Sequence, residues 1–359
     1  MSAVVGLSGG AGSLLALLGV YLDDAWHTDV GRDGFFSPPH LLLYAGVLVT
    51  SLSVLVWVVR SWRQAGGGAA GAADVLRSPA IWLAGVGGVT TVLSAPLDDA
   101  WHRLFGRDAV LWSPPHLAAV AGTCALAVGL LAGLQTTRGR GAGAARVLAA
   151  AAVVGSLQVP VLEYDSDVPQ FSPTWYLPVA AIGVCLALVI VEDLFPGGRA
   201  LVQVAVVYTV VRVLVVAVLA ALGSSLTIVA PVGLALGLAV LLRGTRRVWR
   251  LLLVGAAVPL LWWPALVVQE PVGTSVAITT LPWRWPCPPQ GPWRSPCCTA
   301  TSVASPAARR RRLVVWSCCC YSRSPSPPQR RPRMTQDKGR WSGTCGSRRP
   351  ARVCRARSR

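Results

Sequence analysis

Long runs of apolar residues fill most of the first 270 positions of this chain, and polar residues gather in the short segments between them. Several runs reach the ~20 residues that an α-helix needs to cross the hydrocarbon core of a bilayer. The pattern predicts an all-α, polytopic transmembrane bundle of eight or nine spans, because the eighth run is short and Pro160 interrupts the fifth. The nine runs are residues 5–22, 40–59, 79–97, 116–135, 146–162, 175–191, 200–222, 226–242 and 251–268.

Three of the polar segments resemble one another. Residues 22–40 read LDDAWHTDVGRDGFFSPPH and residues 97–116 read LDDAWHRLFGRDAVLWSPPH. Residues 162–175 read LEYDSDVPQFSPTW, which is a degenerate third copy. Each copy connects one apolar run to the next, so the repeated unit is predicted to be a helical hairpin that occurs three times.

Arginine placement predicts the orientation in the cell membrane. The loops after the second, fourth, sixth and eighth runs carry eleven arginines, whereas the loops after the first, third and fifth carry three. Positive loops stay in the cytoplasm. The N-terminus is therefore predicted to be cytoplasmic, and the three repeated loops are predicted to face outward.

Composition separates a membrane part from a basic tail. Apolar residues make up 53% of the chain and charged residues only 13%, against about 25% charged in soluble domains. The net charge is +18, but the segment from Leu281 onward carries 17 Arg, one Lys and one Asp, and therefore almost all of it. The transmembrane part is thus predicted to contact the lipid bilayer, and other membrane subunits, rather than nucleic acid.

The tail has no helical or strand periodicity and is predicted to be disordered. It is either a basic segment that binds anionic partners or, in the favoured interpretation, a frameshifted translation of a high-GC gene. The predicted organisation is thus three hairpins over 1–195, further transmembrane helices over 196–270 and the tail over 271–359.

All four histidines of the protein lie in the two intact copies. In the first copy, His27 follows Asp23 by four positions and Asp24 by three, which places the three side chains on one face of a helix. The second copy repeats both spacings with Asp98, Asp99 and His102.

The second half of each copy predicts the start of a helix. Ser37 is suited to the N-cap and Pro38 to the first helical position, which makes His40 the third helical residue. The second copy repeats this order with Ser113, Pro114 and His116. A hairpin would bring His27 towards His40, and likewise the two histidines of the second copy towards each other.

One carboxylate and two imidazoles form a donor set for copper, zinc or iron. The predicted ligands are Asp23, His27 and His40 in the first copy and Asp98, His102 and His116 in the second. Asp24 and Asp99 are further site candidates. Two alternatives stay open: a structural turn, in which the aspartates pair with Arg32 or Arg107 and the histidines cap helices, and a transporter whose acidic loops attract cations.

The element D-x3-H-x12-H, formed by Asp23, His27 and His40, resembles the copper site in the C subunit of particulate methane and ammonia monooxygenases. The second copy departs from it by one extra residue before His116. The likeness covers about 20 residues per copy and implies a copper ion, and by extension a membrane oxidoreductase or a metal-handling system. The third copy has Glu163 and Asp167 but no histidine, so the same site is not expected there.

Arg212 lies in the middle of the seventh run, with Tyr208 one helical turn before it. A charge at this depth costs at least ~2.5 kcal/mol and usually marks a functional residue. An ion pair with a carboxylate of a neighbouring span is the structural alternative, although the sequence does not identify that partner.

Overall fold

The computed structural model describes residues 1–31, 35–105, 111–166, 170–225 and 227–269, and each regular element among them is a helix. The predicted tail, 271–359, lies outside these residues. So do four charged residues of the first two loops and one of the third, namely Arg32, Asp33, Arg107, Asp108 and Asp167.

Eleven α-helices occur in the described residues. They are α1 (Ala3–Asp29), α2 (Pro38–Gln64), α3 (Gly68–Arg77), α4 (Pro79–Phe105), α5 (Pro114–Gly133), α6 (Ala142–Gln158), α7 (Leu162–Asp165), α8 (Tyr176–Leu194), α9 (Gly198–Leu222), α10 (Val232–Leu241) and α11 (Arg247–Gln269). A 3-10 turn, Val159–Val161, joins α6 to α7, and a second, Pro173–Trp175, precedes α8.

Within the described residues, eight helical stretches are long and apolar enough to cross a bilayer, which confirms the predicted polytopic membrane bundle. Seven are single helices, and the eighth is the continuous stretch Ala142–Asp165, in which Pro160 causes only the 3-10 turn. The predicted eighth span is shorter than the rest, because α10 has ten residues and begins after Pro231. The short α3, between the second and third spans, has no counterpart in the sequence prediction.

The first two hairpins are built alike. Helix α1 packs along α2, and α4 packs along α5. Each pair crosses at two glycines: a Cβ on Gly12 would lie 2.9 Å from the carbonyl oxygen of Gly46, and one on Gly87 would lie 2.6 Å from that of Gly122. These four glycines are equivalent positions of the repeat. They let the backbones approach closely, which is how helices gain packing energy within a membrane.

Helix α6 lies at the centre of the bundle, against α1, α5, α8 and α9. Its Ala149, Ala150 and Val153 are fully buried, whereas Leu48 and Leu55 on the outer face of α2 are more than half exposed. Helices that face the hydrocarbon core expose apolar side chains to it, so the exposed leucines are expected to contact lipid tails. The small side chains of α6 instead allow four other helices to pack around it.

Candidate metal centre

The first intact copy brings its three predicted ligands together. Helix α1 continues to Asp29, so Asp23 and His27 lie on one face of its last two turns, as predicted. His40 lies in the first turn of α2, where its Nε2 is 3.1 Å from Oδ1 of Asp23. His27 Nδ1 lies 2.8 Å from the backbone carbonyl oxygen of Asp23 and 3.7 Å from its Oδ2. The Asp23 carboxylate therefore lies between the two imidazoles.

The second copy repeats this triad with a different ring orientation. Asp98 Oδ2 lies 3.0 Å from Nε2 of His102 and 3.6 Å from Nε2 of His116. The ring centroids of the two histidines are 6.2 Å apart, and those of the first copy are 6.4 Å apart. The nitrogen that faces the carboxylate from α4 is thus Nε2, whereas in α1 it is Nδ1. In both copies the two histidines thus lie on either side of one aspartate carboxylate.

Both predicted N-cap serines precede their helices, but only Ser113 forms a side-chain hydrogen bond to the first turn. Ser113 Oγ accepts a hydrogen bond from the His116 backbone N–H at 3.3 Å and lies 2.9 Å from Nδ1 of the same residue. This contact leaves Nε2 of His116 directed to Asp98. Ser37 occupies the equivalent position before α2 but forms no side-chain cap hydrogen bond. The His116–Ser113 contact is also the capping interaction that the structural alternative predicts.

The donor atoms are close together but are not arranged around one point. Among the described residues, no group of three or more His, Cys, Asp or Glu side chains has the geometry to hold a metal ion as it stands. Asp98 Oδ1 is buried and accepts no hydrogen bond, whereas Asp23 Oδ1 lies 3.1 Å from Nε2 of His40. The second triad therefore keeps an unused carboxylate oxygen.

Both triads line one cavity of about 570 Å³ between the two hairpins and α6. This volume is in the range of small-molecule sites. On α1 the lining runs from Ser13 to His27, which is about 21 Å at the rise of an α-helix. The cavity therefore extends from the imidazoles well into the apolar part of the bundle.

The second aspartates of the two motifs differ from each other. Asp99 lies 2.6 Å from the guanidinium of Arg103, one helical turn later, and is about one third exposed. Asp24 is 2% exposed, and neither of its carboxylate oxygens forms a hydrogen bond of normal geometry. The hydroxyl group of Ser166 lies near the Asp24 carboxylate but does not form a well-aligned hydrogen bond with it. The structural alternative pairs these aspartates with Arg32 or Arg107, and both arginines lie outside the residues that the structure describes.

The third copy uses its carboxylates to hold neighbouring segments. Glu163, at the position of Asp23 and Asp98, is 1% exposed. Its carboxylate accepts hydrogen bonds from the Leu111 backbone N–H and the Trp112 indole N–H, both at 3.1 Å. It also accepts one from the Gln170 backbone N–H at 3.2 Å. Glu163 thus ties the loop of the second copy to that of the third.

Arg212 has the ion-pair partner that the sequence did not identify. Its Nη2 lies 3.2 Å from Oδ2 of Asp165, and both residues are at most 1% exposed. The Tyr176 hydroxyl donates to the other oxygen of Asp165 at 2.8 Å, and the guanidinium carbon lies 3.9 Å from the centroid of the Tyr21 ring. Asp165 belongs to the third repeated segment, which the sequence predicts to be an outward loop. It is buried because the helical stretch that begins at Ala142 continues to Asp165.

The same pair stabilises a non-helical segment between α9 and α10. Arg212 donates to the carbonyl oxygen of Ile228, whose backbone N–H donates to the Asp165 carbonyl oxygen at 3.0 Å. Gln269 bonds both backbone groups of Val229, with distances of 2.7 and 3.1 Å. Non-helical backbone is tolerated inside a membrane protein only where such internal partners satisfy it. The non-helical segment before the short α10 can therefore lie at membrane depth, because its backbone groups have partners within the protein.

No protein-family model matches this chain, and no curated protein or solved structure is significantly similar to it.

Proposed function

We propose that this integral membrane protein binds transition-metal ions at its two Asp-His-His triads. The observation that carries the proposal is the convergence of one carboxylate and two imidazoles in both intact copies, at 3.0–3.7 Å. Ligand atoms bonded to one tetrahedral ion at ~2.0–2.1 Å would be separated by about 3.3 Å. Rotation of the rings, rather than movement of the helices, would complete the site.

The donor chemistry favours copper, and zinc or iron would suit the same ligands. The unused Oδ1 of Asp98 is suited to a metal, and the oxygens of Asp23 could accept one beside their imidazoles, because a carboxylate offers several lone pairs. Ser113 beside Nδ1 of His116 would fix that ring with Nε2 as the ligand atom, as outer partners of metal-bound histidines do. A membrane oxidoreductase or a metal-handling protein would use such a centre, and the copper site that the motif resembles belongs to the first class.

We infer that the triads face outward. The arginine distribution supports this, and so do two contacts across the loops. Asp29 of the first loop accepts hydrogen bonds from the Ser225 backbone N–H at 2.8 Å and from its hydroxyl at 2.5 Å. Ser225 follows α9, whose outer end is predicted on the same side. At the opposite ends, Glu192 pairs with Arg250 at 2.6 Å.

Elemental analysis of chelator-washed protein, reconstituted in turn with copper, zinc and iron, tests the proposal. We expect one of the three metals to bind at about one ion per triad once the chelator has removed any metal already present. Replacing His27 and His102 together with Ala should remove the bound metal and leave the helices intact. Less than about one tenth of an equivalent of each metal in the wild-type protein would overturn the proposal.

Cation transport is the second candidate. The observation that favours it is a set of hydroxyl side chains that line the cavity beyond the triads, namely Ser13, Thr50, Ser51, Thr91, Ser94, Thr123 and Ser156. Cation flux in vesicles without tightly bound metal would support transport. A protein that shows neither flux nor metal, and loses thermal stability on the double histidine substitution, would be purely structural.

A further inference from the structure

The cavity between the hairpins is acidic at one end and apolar in its body. Among the described residues, its lining contains no lysine or arginine. The carboxyl and imidazole groups in this lining belong to Asp23, Asp24, Asp98, Asp99, His27, His40, His102 and His116. Deeper in the bundle the lining is mostly aliphatic, with Leu17, Val20 and Val47 as examples. An anionic molecule would therefore be repelled, whereas a cationic end joined to an apolar body would match both parts.

Of the four carboxyl groups, Asp24 is the one that forms no ion pair with a described residue. Asp23 and Asp98 lie between imidazoles, and Asp99 lies beside Arg103. A buried carboxyl group without a hydrogen bond of normal geometry costs several kcal/mol unless a donor reaches it. Asp24 is 2% exposed and contributes to the cavity wall, so the cavity is the side from which a donor molecule could approach.

We propose that the cavity binds a lipid-soluble amine, with the ammonium group on Asp24 and the apolar body directed towards Ser13. The lining of α1 between these two residues is about 17 Å long, which accommodates an extended alkyl chain. A membrane is also the source from which such an amphiphile would enter. The site does not use the six triad ligands, so it exists whether or not they hold a metal.

Binding of dodecylammonium to the chelator-washed protein in phosphatidylcholine nanodiscs tests this site. Native mass spectrometry should show one bound molecule per chain. We expect Asp24→Asn to weaken binding at least about tenfold, because a buried charge pair loses one partner. Asp99→Asn is the matched control, since Asp99 occupies the equivalent position but pairs with Arg103. It should change the affinity less than about threefold.

A second test varies the headgroup of the ligand and uses only the wild-type protein, so its result does not depend on whether the variants fold. Dodecanol and dodecanoate have the same chain, and both should bind at least about tenfold more weakly than the amine. Equal binding of dodecanol, equal effects of the two Asn variants, or unsaturable binding would each overturn the amine site. Amine binding is measured on chelator-washed protein, so failure of the metal proposal would leave this result unchanged.

Discussion

The two intact copies and the third copy each connect two apolar helical stretches but use their carboxylates differently. Asp23 and Asp98 face imidazoles at the cavity, whereas Glu163 accepts three hydrogen bonds from loop donors. Asp165 stands where the intact copies have Ala25 and Ala100, and it neutralises Arg212. The difference shows that the carboxylate at a repeated helix end can either face imidazoles at a cavity or hold neighbouring segments together, depending on the partners that other helices supply.

The largest expected effect concerns the buried ion pair of Asp165 and Arg212. Asp165→Asn leaves the guanidinium of Arg212 buried without its carboxylate, so we expect a loss of about 3–5 kcal/mol in the free energy of unfolding. Unfolding of the protein in bilayers or bicelles would measure this loss. Asp193→Asn is the control, since the Asp193–Arg247 pair is about half exposed and should contribute at most about 1 kcal/mol. Similar effects of both substitutions would show that the buried pair does not stabilise the third copy.

The next effect separates the two intact copies by metal stoichiometry. If each triad binds its own ion, His40→Ala and His116→Ala should each remove about half of the bound metal. Elemental analysis of the two single variants and the double variant measures this directly. Complete loss in either single variant would show that the two copies form one composite site instead.

An intermediate effect tests whether the third copy supports the second. Glu163 holds Leu111 and Trp112, which precede the Ser113 cap and His116. Glu163→Gln keeps the shape but weakens these charge-assisted bonds. We expect metal affinity of the second triad to fall about tenfold, as when outer partners of metal ligands are replaced.

This effect is measured by titration in a His27→Ala background, where only the second triad remains. The reciprocal titration of the first triad, in a His116→Ala background, is the control and should not respond. A fall in both affinities would mean that Glu163 stabilises the bundle generally.

The sequence predicts the parts of this molecule that depend on local periodicity. Apolar run length gives the spans, and the four-residue spacing places Asp23 and His27 on one face of α1. Contacts between distant segments are not available from such patterns. Arg212 and Asp165 are 47 positions apart, and the predicted fifth run ends at residue 162, whereas the helical stretch continues to Asp165. Glu163 and Asp165 are charged, so apolar run length alone does not place Asp165 within the bundle.

The imidazole orientation also could not be predicted. The two motifs have nearly the same sequence, yet His27 presents Nδ1 to its carboxylate and His102 presents Nε2. Either nitrogen can face a carboxylate four residues earlier, so residue spacing does not determine which one does. The residue before the cap serine adds a second difference: Phe36 in the first copy is largely exposed, whereas Trp112 in the second is partly buried and donates to Glu163.

The smallest expected effect compares the two helix caps. Ser113→Ala removes an acceptor for the His116 backbone N–H, so we expect a loss of about 1 kcal/mol in the free energy of unfolding. Ser37→Ala removes a hydroxyl that makes no cap hydrogen bond, so its cost should be only a few tenths of a kcal/mol.

The same unfolding measurement compares the two serine variants, and a metal titration of each triad provides a second measurement. Ser113→Ala should also weaken metal binding at the second triad, because the hydroxyl beside Nδ1 no longer orients the ring of His116. If both serine variants lose the same stability and neither changes metal affinity, the asymmetry between the caps has no energetic consequence, and the two intact copies are equivalent in solution.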